Sequence, residues 1–341
     1  MSYKIITDSC CDFTKQQYKD LNLGYAPLTL LYKGESFPSF TEPAELHDFY
    51  DGIRAGEMPT TSAVNPDGWA QLMRPILENG EDVLCLAFSS ALSTTYQSAV
   101  IAANELLEEF PGRTINVIDT RCAALGQGLL AMHACKRRDA GMSLADLTAW
   151  VEENKNHLAH WVTVDDLNHL KRGGRVSATT ALVGGLLNIK PIIHVDNEGR
   201  LDTVSKVRGR KAAMALLANK VAETGADYDN ETITVAHGDC PEDAQALADL
   251  IKAKCPFVKN VVIGYVGGVI GAHTGPGVLV CFFLGKEKYA ASRRLQYEPD
   301  SSTVVVTSLG LARFALASSF RTHNVTEPSE RVTISIAPST Y

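Results

Sequence analysis

Hydroxyl side chains crowd one stretch of this 341-residue chain: Ser89, Ser90, Ser93, Thr94 and Thr95 fall within seven residues. They follow Val83-Leu84-Cys85-Leu86-Ala87-Phe88, a continuously apolar run that reads as a strand buried on both faces, as in a parallel sheet. The segment after them, through Leu107, reads as a helix. A strand that stops in hydroxyls and restarts as a helix gathers orphan backbone N–H groups and O–H donors at one point, which suits an anion. Three more polar clusters end strands or fill turns: Thr7-Asp8-Ser9, Thr60-Thr61-Ser62 and His273-Thr274. Ligands of open α/β sheets sit beyond the carboxyl ends of strands, and three of the four clusters fall where that crevice would be. Any one of them, taken alone, reads more simply as a helix cap.

No familiar catalytic signature fits. Ser89–Thr95 contains no Gly-x-Ser-x-Gly elbow, and the glycines between Gly268 and Gly277 follow no strand-to-helix start. His157 and His160 have no further ligands nearby, so no metal is expected. Arg172 and Arg175 flank a glycine pair and can present two guanidinium forks to a phosphate or to an acidic partner; a solvated turn is the alternative. Lys206, Arg208, Arg210 and Lys211 form a second basic group that reads as surface. Residues 178–189, ATTALVGGLLNI, are small and apolar, suited to core packing or to lining a narrow cavity. A hydroxyl cluster joined to an apolar cavity describes a fatty-acid site. Its donors hold the carboxylate while the chain leaves water, at about 0.8 kcal/mol per buried CH₂.

The elements that must position these groups follow from periodicity. Strands at 4–9, 26–32, 83–88 and 114–120 alternate with helices around 15–20, 43–54, 66–77 and 123–138, a pattern that predicts a mostly parallel sheet. The second half mixes strands near 161–164, 190–195, 232–237, 261–265 and 277–283 with helices at 211–223 and 241–253. The fold class is therefore α/β, with an N-terminal domain over 1–158, a second mixed-sheet domain over 159–286 and an appended, poorly ordered tail over 287–341. The length supports two domains. A net charge of -7 argues against a nucleic-acid binder, whose footprint is basic. Eight cysteines without Cys-x-x-Cys spacing suggest small buried hydrophobes in a reducing cytoplasm. The uncharged run Val261–Leu284 is long enough to span a bilayer. Its central glycines, Pro276 and His273 favour two buried strands joined by a Gly/Pro turn, so no stable membrane insertion is expected.

In this order the clusters resemble the DegV family of bacterial fatty-acid-binding proteins. The resemblance rests on IITDSCCDF at 5–13, TTSAVNP at 60–66, SSALSTTYQSA at 89–99 and VIDTRCAALGQGLL at 117–130. It continues through LNHLKRGGRVSATTALVGGLLNIKPII at 167–193, KVRGRKAA at 206–213 and GAHTGPG at 271–277. It implies two α/β domains with a long-chain fatty acid between them, and no cofactor beyond that ligand. It further implies a non-catalytic carrier that presents the carboxylate to a separate ATP-dependent kinase subunit, which makes the acyl phosphate. Thr61 and Ser93 would bind the carboxylate, with His273 completing the network and Ser62, Thr94 and the backbone at Thr95 in support. Arg172, Arg175 and Arg208 would serve phosphate contact or kinase docking. Two other classes stay open: an acyl-transfer hydrolase with Ser93 or Ser90 as nucleophile and His273 as base, and a phosphate sensor built on Arg172 and Arg175. Relatives keep Ser-Gly-Thr where this chain has Ser93-Thr94-Thr95, so a turn that needs positive φ would strain Thr94.

Overall fold

Alternation along one strand explains why the run before the hydroxyls is apolar throughout. In the computed structural model, which describes residues 2–176 and 188–286, it forms β6 (Asp82–Ala87), buried along its whole length. Leu84 and Leu86 enter one hydrophobic core, while Val83, Cys85 and Ala87 enter another on the opposite face. β6 lies between β1 (Tyr3–Asp8) and β7 (Ile115–Asp119), with β2 (Gly24–Ala26) beyond β1, all four strands parallel. Helices Pro66–Glu78 and Thr95–Glu109 cover one face.

The apolar stretch 26–32 reads as one strand but divides at Pro27. Its second part, β3 (Thr29–Tyr32), leaves the parallel sheet and pairs antiparallel with β4 (Glu35–Pro38) and β5 (Thr60–Ser62) in a small sheet of order β4-β3-β5. A proline removes a ladder donor, so the chain changes sheets there.

The second half builds a six-stranded mixed sheet from β8 (Leu158–Thr163), β9 (Ile189–Val195), β10 (Leu201–Arg208), β11 (Thr232–His237), β12 (Asn260–Tyr265) and β13 (Leu279–Leu284). Its order is β10-β9-β8-β13-β11-β12, with β11 and β12 parallel and every other pair antiparallel. β9 and β10 form the expected hairpin, turning at Gly199 with φ +81. Helices Arg210–Thr224 and Pro241–Lys254 cover one face. The other face meets helix Ala124–Asp139, which is buried nearly all round. A Cβ on Gly126 would overlap His160 and Phe282 of the second sheet, and one on Gly128 would overlap Phe13 and the Cys11 carbonyl. Glycines on two sides of this helix let it pack closely against both.

The run Val261–Leu284 departs from two strands joined by a turn. Between β12 and β13 the chain forms a short helix, Gly268–Thr274, and only then turns at Gly275 and Gly277, with φ +74 and +78. β12 and β13 are not neighbours, because β11 lies between them. Among the described residues no helix is long and apolar enough to cross a membrane. All eight cysteines are free, and Cys240 alone is less than fully buried. Residues 178–187 of the expected cavity lining, and the segment 287–341, lie outside the described residues.

Candidate functional site

Three separate elements bring the predicted polar residues together. β5 carries Thr61, held in register by its pairing with Leu30 of β3. The last turn of helix Gly268–Thr274 carries His273, whose Nε2 lies 2.8 Å from Thr61 Oγ1. The turn after β6 carries Ser93, whose Oγ lies 2.9 Å from Thr95 Oγ1 and accepts the Thr95 amide at 3.2 Å. Thr94 takes φ -79 and ψ 6, on the negative-φ side, so the absent glycine leaves no positive-φ strain in the turn. The turn is braced from β7: Asp119 accepts the Ser90 amide at 3.1 Å and its hydroxyl at 2.5 Å.

These groups border a cavity of about 530 Å³. Thr61, Ser62, Ser93, Thr94, Arg175 and His273 all line it. Its floor is the second sheet, where Ile193, Val162 and Val280 form one cross-strand row. His160 and Phe282 form another row two residues along the strands, roughly 7 Å away. His160 presents no open polar atom to that floor: its Nε2 accepts the Ala123 amide at 3.1 Å, and its Nδ1 donates to the Leu158 carbonyl at 3.0 Å. The site is thus polar at one place and apolar along its length.

Electrostatics at the polar end favour an anion. Arg175 is half-buried, donates through Nε to the Leu92 carbonyl at 3.1 Å and bonds the Gly173 carbonyl through Nη1. Burial, reinforced by the Arg175 and Arg172 guanidiniums, pushes the His273 imidazole down to about 4. The ring is therefore neutral at neutral pH, and the positive potential at the mouth comes from arginine.

Not every predicted residue reaches the cavity. Arg172 is exposed, with Nη2 3.1 Å from His169 Nδ1, and Arg208 is exposed at the end of β10 opposite Ile189. The Thr7-Asp8-Ser9 cluster does not line it either. His273 is bonded to Thr61 rather than to a serine, and the Ser90 hydroxyl is taken by Asp119. Asp119 itself escapes sequence reasoning, although an acid ending β7 beside the hydroxyl turn was its signal. Of the floor residues, Val162 and Ile193 escape it too, since their runs look like any buried strand, whereas Val280 and Phe282 fall in the apolar stretch flanking His273 that suits a cavity wall.

Comparison with known proteins places this architecture. A DegV domain-containing protein of Clostridium perfringens is 44% identical over 287 residues, covering 84% of this chain and 98% of that protein. The structure of a DegV family protein from Thermus thermophilus, described for its fatty-acid binding, is 31% identical. That match covers 84% of this chain and 100% of the other, with a TM-score of 0.73. DegV of Bacillus subtilis, described as a fatty acid binding protein, is 29% identical over 83% of this chain and 99% of its own, with a TM-score of 0.71. The profile described as "Uncharacterised protein, DegV family" matches residues 2–286, and the chain belongs to the DegV family.

Proposed function

We propose that this protein binds one long-chain fatty acid in the cavity, its carboxylate held by Thr61 and Ser93, and presents that carboxylate to a separate ATP-dependent kinase subunit. The observation that carries this reading is the Thr61–His273 pair at the polar end of an otherwise apolar cavity. A neutral His273 that donates Nε2–H to Thr61 leaves the threonine O–H free to donate to the ligand. Ser93 adds a second hydroxyl, and Ser62 and Thr94 flank the head group. The floor rows take the alkyl chain out of water. The fatty-acid-binding relatives named above support the ligand class.

In the transfer step, a carboxylate oxygen attacks the γ-phosphorus of ATP, the bond to the β-phosphate oxygen breaks, and acyl phosphate and ADP result. This chain supplies the oriented carboxylate, while Arg172 and Arg208, exposed and not part of the cavity lining, are assigned to docking the kinase in the cytoplasm. The ligand lies between an N-terminal domain, 1–158, and a second, 159–286. A hydrolase reading has less support, since the His273 partner is Thr61 and no serine–histidine hydrogen bond forms among the described residues.

Mass spectrometry of the protein purified from cells tests the reading. Stoichiometric fatty acid is expected, together with ATP-dependent acyl phosphate formation once the kinase subunit is added. A lipid-free protein with no measurable affinity for palmitate or oleate would end it.

A further inference from the structure

The cluster Thr7-Asp8-Ser9 has the composition of a ligand site but does not touch the cavity, and its side chains are fully committed elsewhere. Asp8 is completely buried; its Oδ2 accepts the Phe88 amide at 2.7 Å and its Oδ1 the Cys10 amide at 2.9 Å. Phe88 opens the turn that carries Ser93, closed by the Leu92 and Ser93 amides donating to the Ser89 carbonyl at 3.0 and 3.2 Å. Ser9 Oγ accepts the Leu28 amide at 2.9 Å, just before β3, whose Leu30 pairs with Thr61. Asp12 is buried, with Oδ1 packed directly against the Gly267 backbone and Oδ2 without a partner. Gly267 caps helix Gly268–Thr274, whose last turn carries His273, and a Cβ on Gly267 would overlap Asp12 Oδ1. Asp12 itself holds φ 56, in the left-handed region.

We propose that the loop Asp8–Asp12 is a positioning hub that sets Thr61, Ser93 and His273 relative to one another, two of them through side-chain hydrogen bonds from Asp8 and Ser9 and the third through the Asp12 carboxyl packed against Gly267. Asp8 fixes the Ser93 turn, Ser9 the Thr61 sheet and Asp12 the His273 helix, and none of the three contacts the ligand. The arrangement rests on the fatty-acid reading only for its purpose; the geometry it controls exists without ligand. A hub of this kind accounts for three polar side chains buried in one loop, where burying a polar group without a compensating role costs free energy.

The test follows His273 in ligand-free protein by imidazole NMR and, separately, affinity for palmitate. Asp12→Ala is expected to weaken palmitate binding about tenfold and to move the His273 titration up toward the ordinary imidazole value, because a displaced ring rehydrates. Asp12→Asn keeps the shape and an oxygen against Gly267 and is expected to restore both. Ser9→Ala is expected to lower affinity several-fold. A folded Asp12→Ala with unchanged affinity and titration overturns the hub, as does a loss that Asp12→Asn shares in full. If Asp12→Ala does not fold, unchanged affinity in Ser9→Ala overturns it instead. Should the wild type bind no palmitate, the fatty-acid reading fails, and the His273 titrations of the Asp12 variants still decide for or against the hub.

Discussion

A carboxylate leaving water loses strong hydrogen bonds and must find replacements, or its burial costs several kcal/mol. Thr61 and Ser93 provide hydroxyls on two different elements, so removing either leaves the other in place. Thr61→Val, which keeps shape and loses the hydroxyl, is expected to lower palmitate affinity by roughly ten- to a hundredfold, the worth of a hydrogen bond to a charged group. Ser93→Ala should fall in the same range. If both donors serve one carboxylate, as proposed above, the double variant should lose less than the product of the two. Isothermal titration of delipidated protein measures all three. His273 adds a pH prediction. Its folded-state value is lowered to about 4 against an ordinary 6.5, so the unfolded chain takes up the proton first as pH falls. Stability from this group is complete above 6.5 and is lost between 6.5 and 4. Between pH 7 and pH 4.5 the wild type should therefore lose about 2 kcal/mol more than His273→Gln in urea unfolding. Comparing the two proteins isolates the histidine from Asp8, which burial raises to about 6 and whose slope runs the other way.

Elements show where the sequence speaks and where it does not. β6 is legible because both faces are buried, so its run needs no periodicity to be found. The hairpin at 189–208 is legible from its Asn-Glu-Gly turn. β5 is not: three residues of Thr-Thr-Ser look like a loop, and only pairing with β3 makes them a strand. The His273 helix is equally hidden, because three glycines within 267–271 argue for a turn, and the helix depends on anchors far away in sequence. One of those anchors is the Phe40 carbonyl, which accepts the Gly268 amide at 3.0 Å. The strain expected at Thr94 came from the family pattern, and the backbone simply does not use positive φ there. A true positive φ occurs at Gly199, whose carbonyl accepts the Ser89 hydroxyl at 2.9 Å and whose added Cβ would overlap that side chain. Gly199→Ala should therefore cost at least about 1–2 kcal/mol from left-handed strain alone. A fall in the urea midpoint at constant m-value reads it; an unchanged midpoint would mean the hairpin tip does not hold its contact with the Ser89 turn.

At the scale of the whole molecule, the cavity joins walls from both large sheets. Phe88 and Ala91 come from the turn after β6, and Val162, Ile193 and Phe282 come from the second sheet. A ligand that fills it contacts both bodies of structure and binds only the folded state, so stability must follow ligand concentration. Delipidated protein is expected to melt below the lipid-loaded form, and palmitate at a hundred times its Kd should return about 2.7 kcal/mol of stability. Thr61→Val and Ser93→Ala should reduce that gain at equal ligand concentration. A medium-chain acid with the same carboxylate should give a smaller shift, by about 0.8 kcal/mol for each CH₂ it fails to bury. The relatives bear on which part of the chain carries this coupling. Residues 2–286 match the family profile, and the fatty-acid-binding Thermus thermophilus structure is covered along 100% of its chain by 84% of this one. A version ending at Lys286 should therefore keep the full palmitate-induced rise in melting temperature. Loss of that rise, with the shortened protein still folded by circular dichroism, would assign residues beyond 286 a part in holding the lipid.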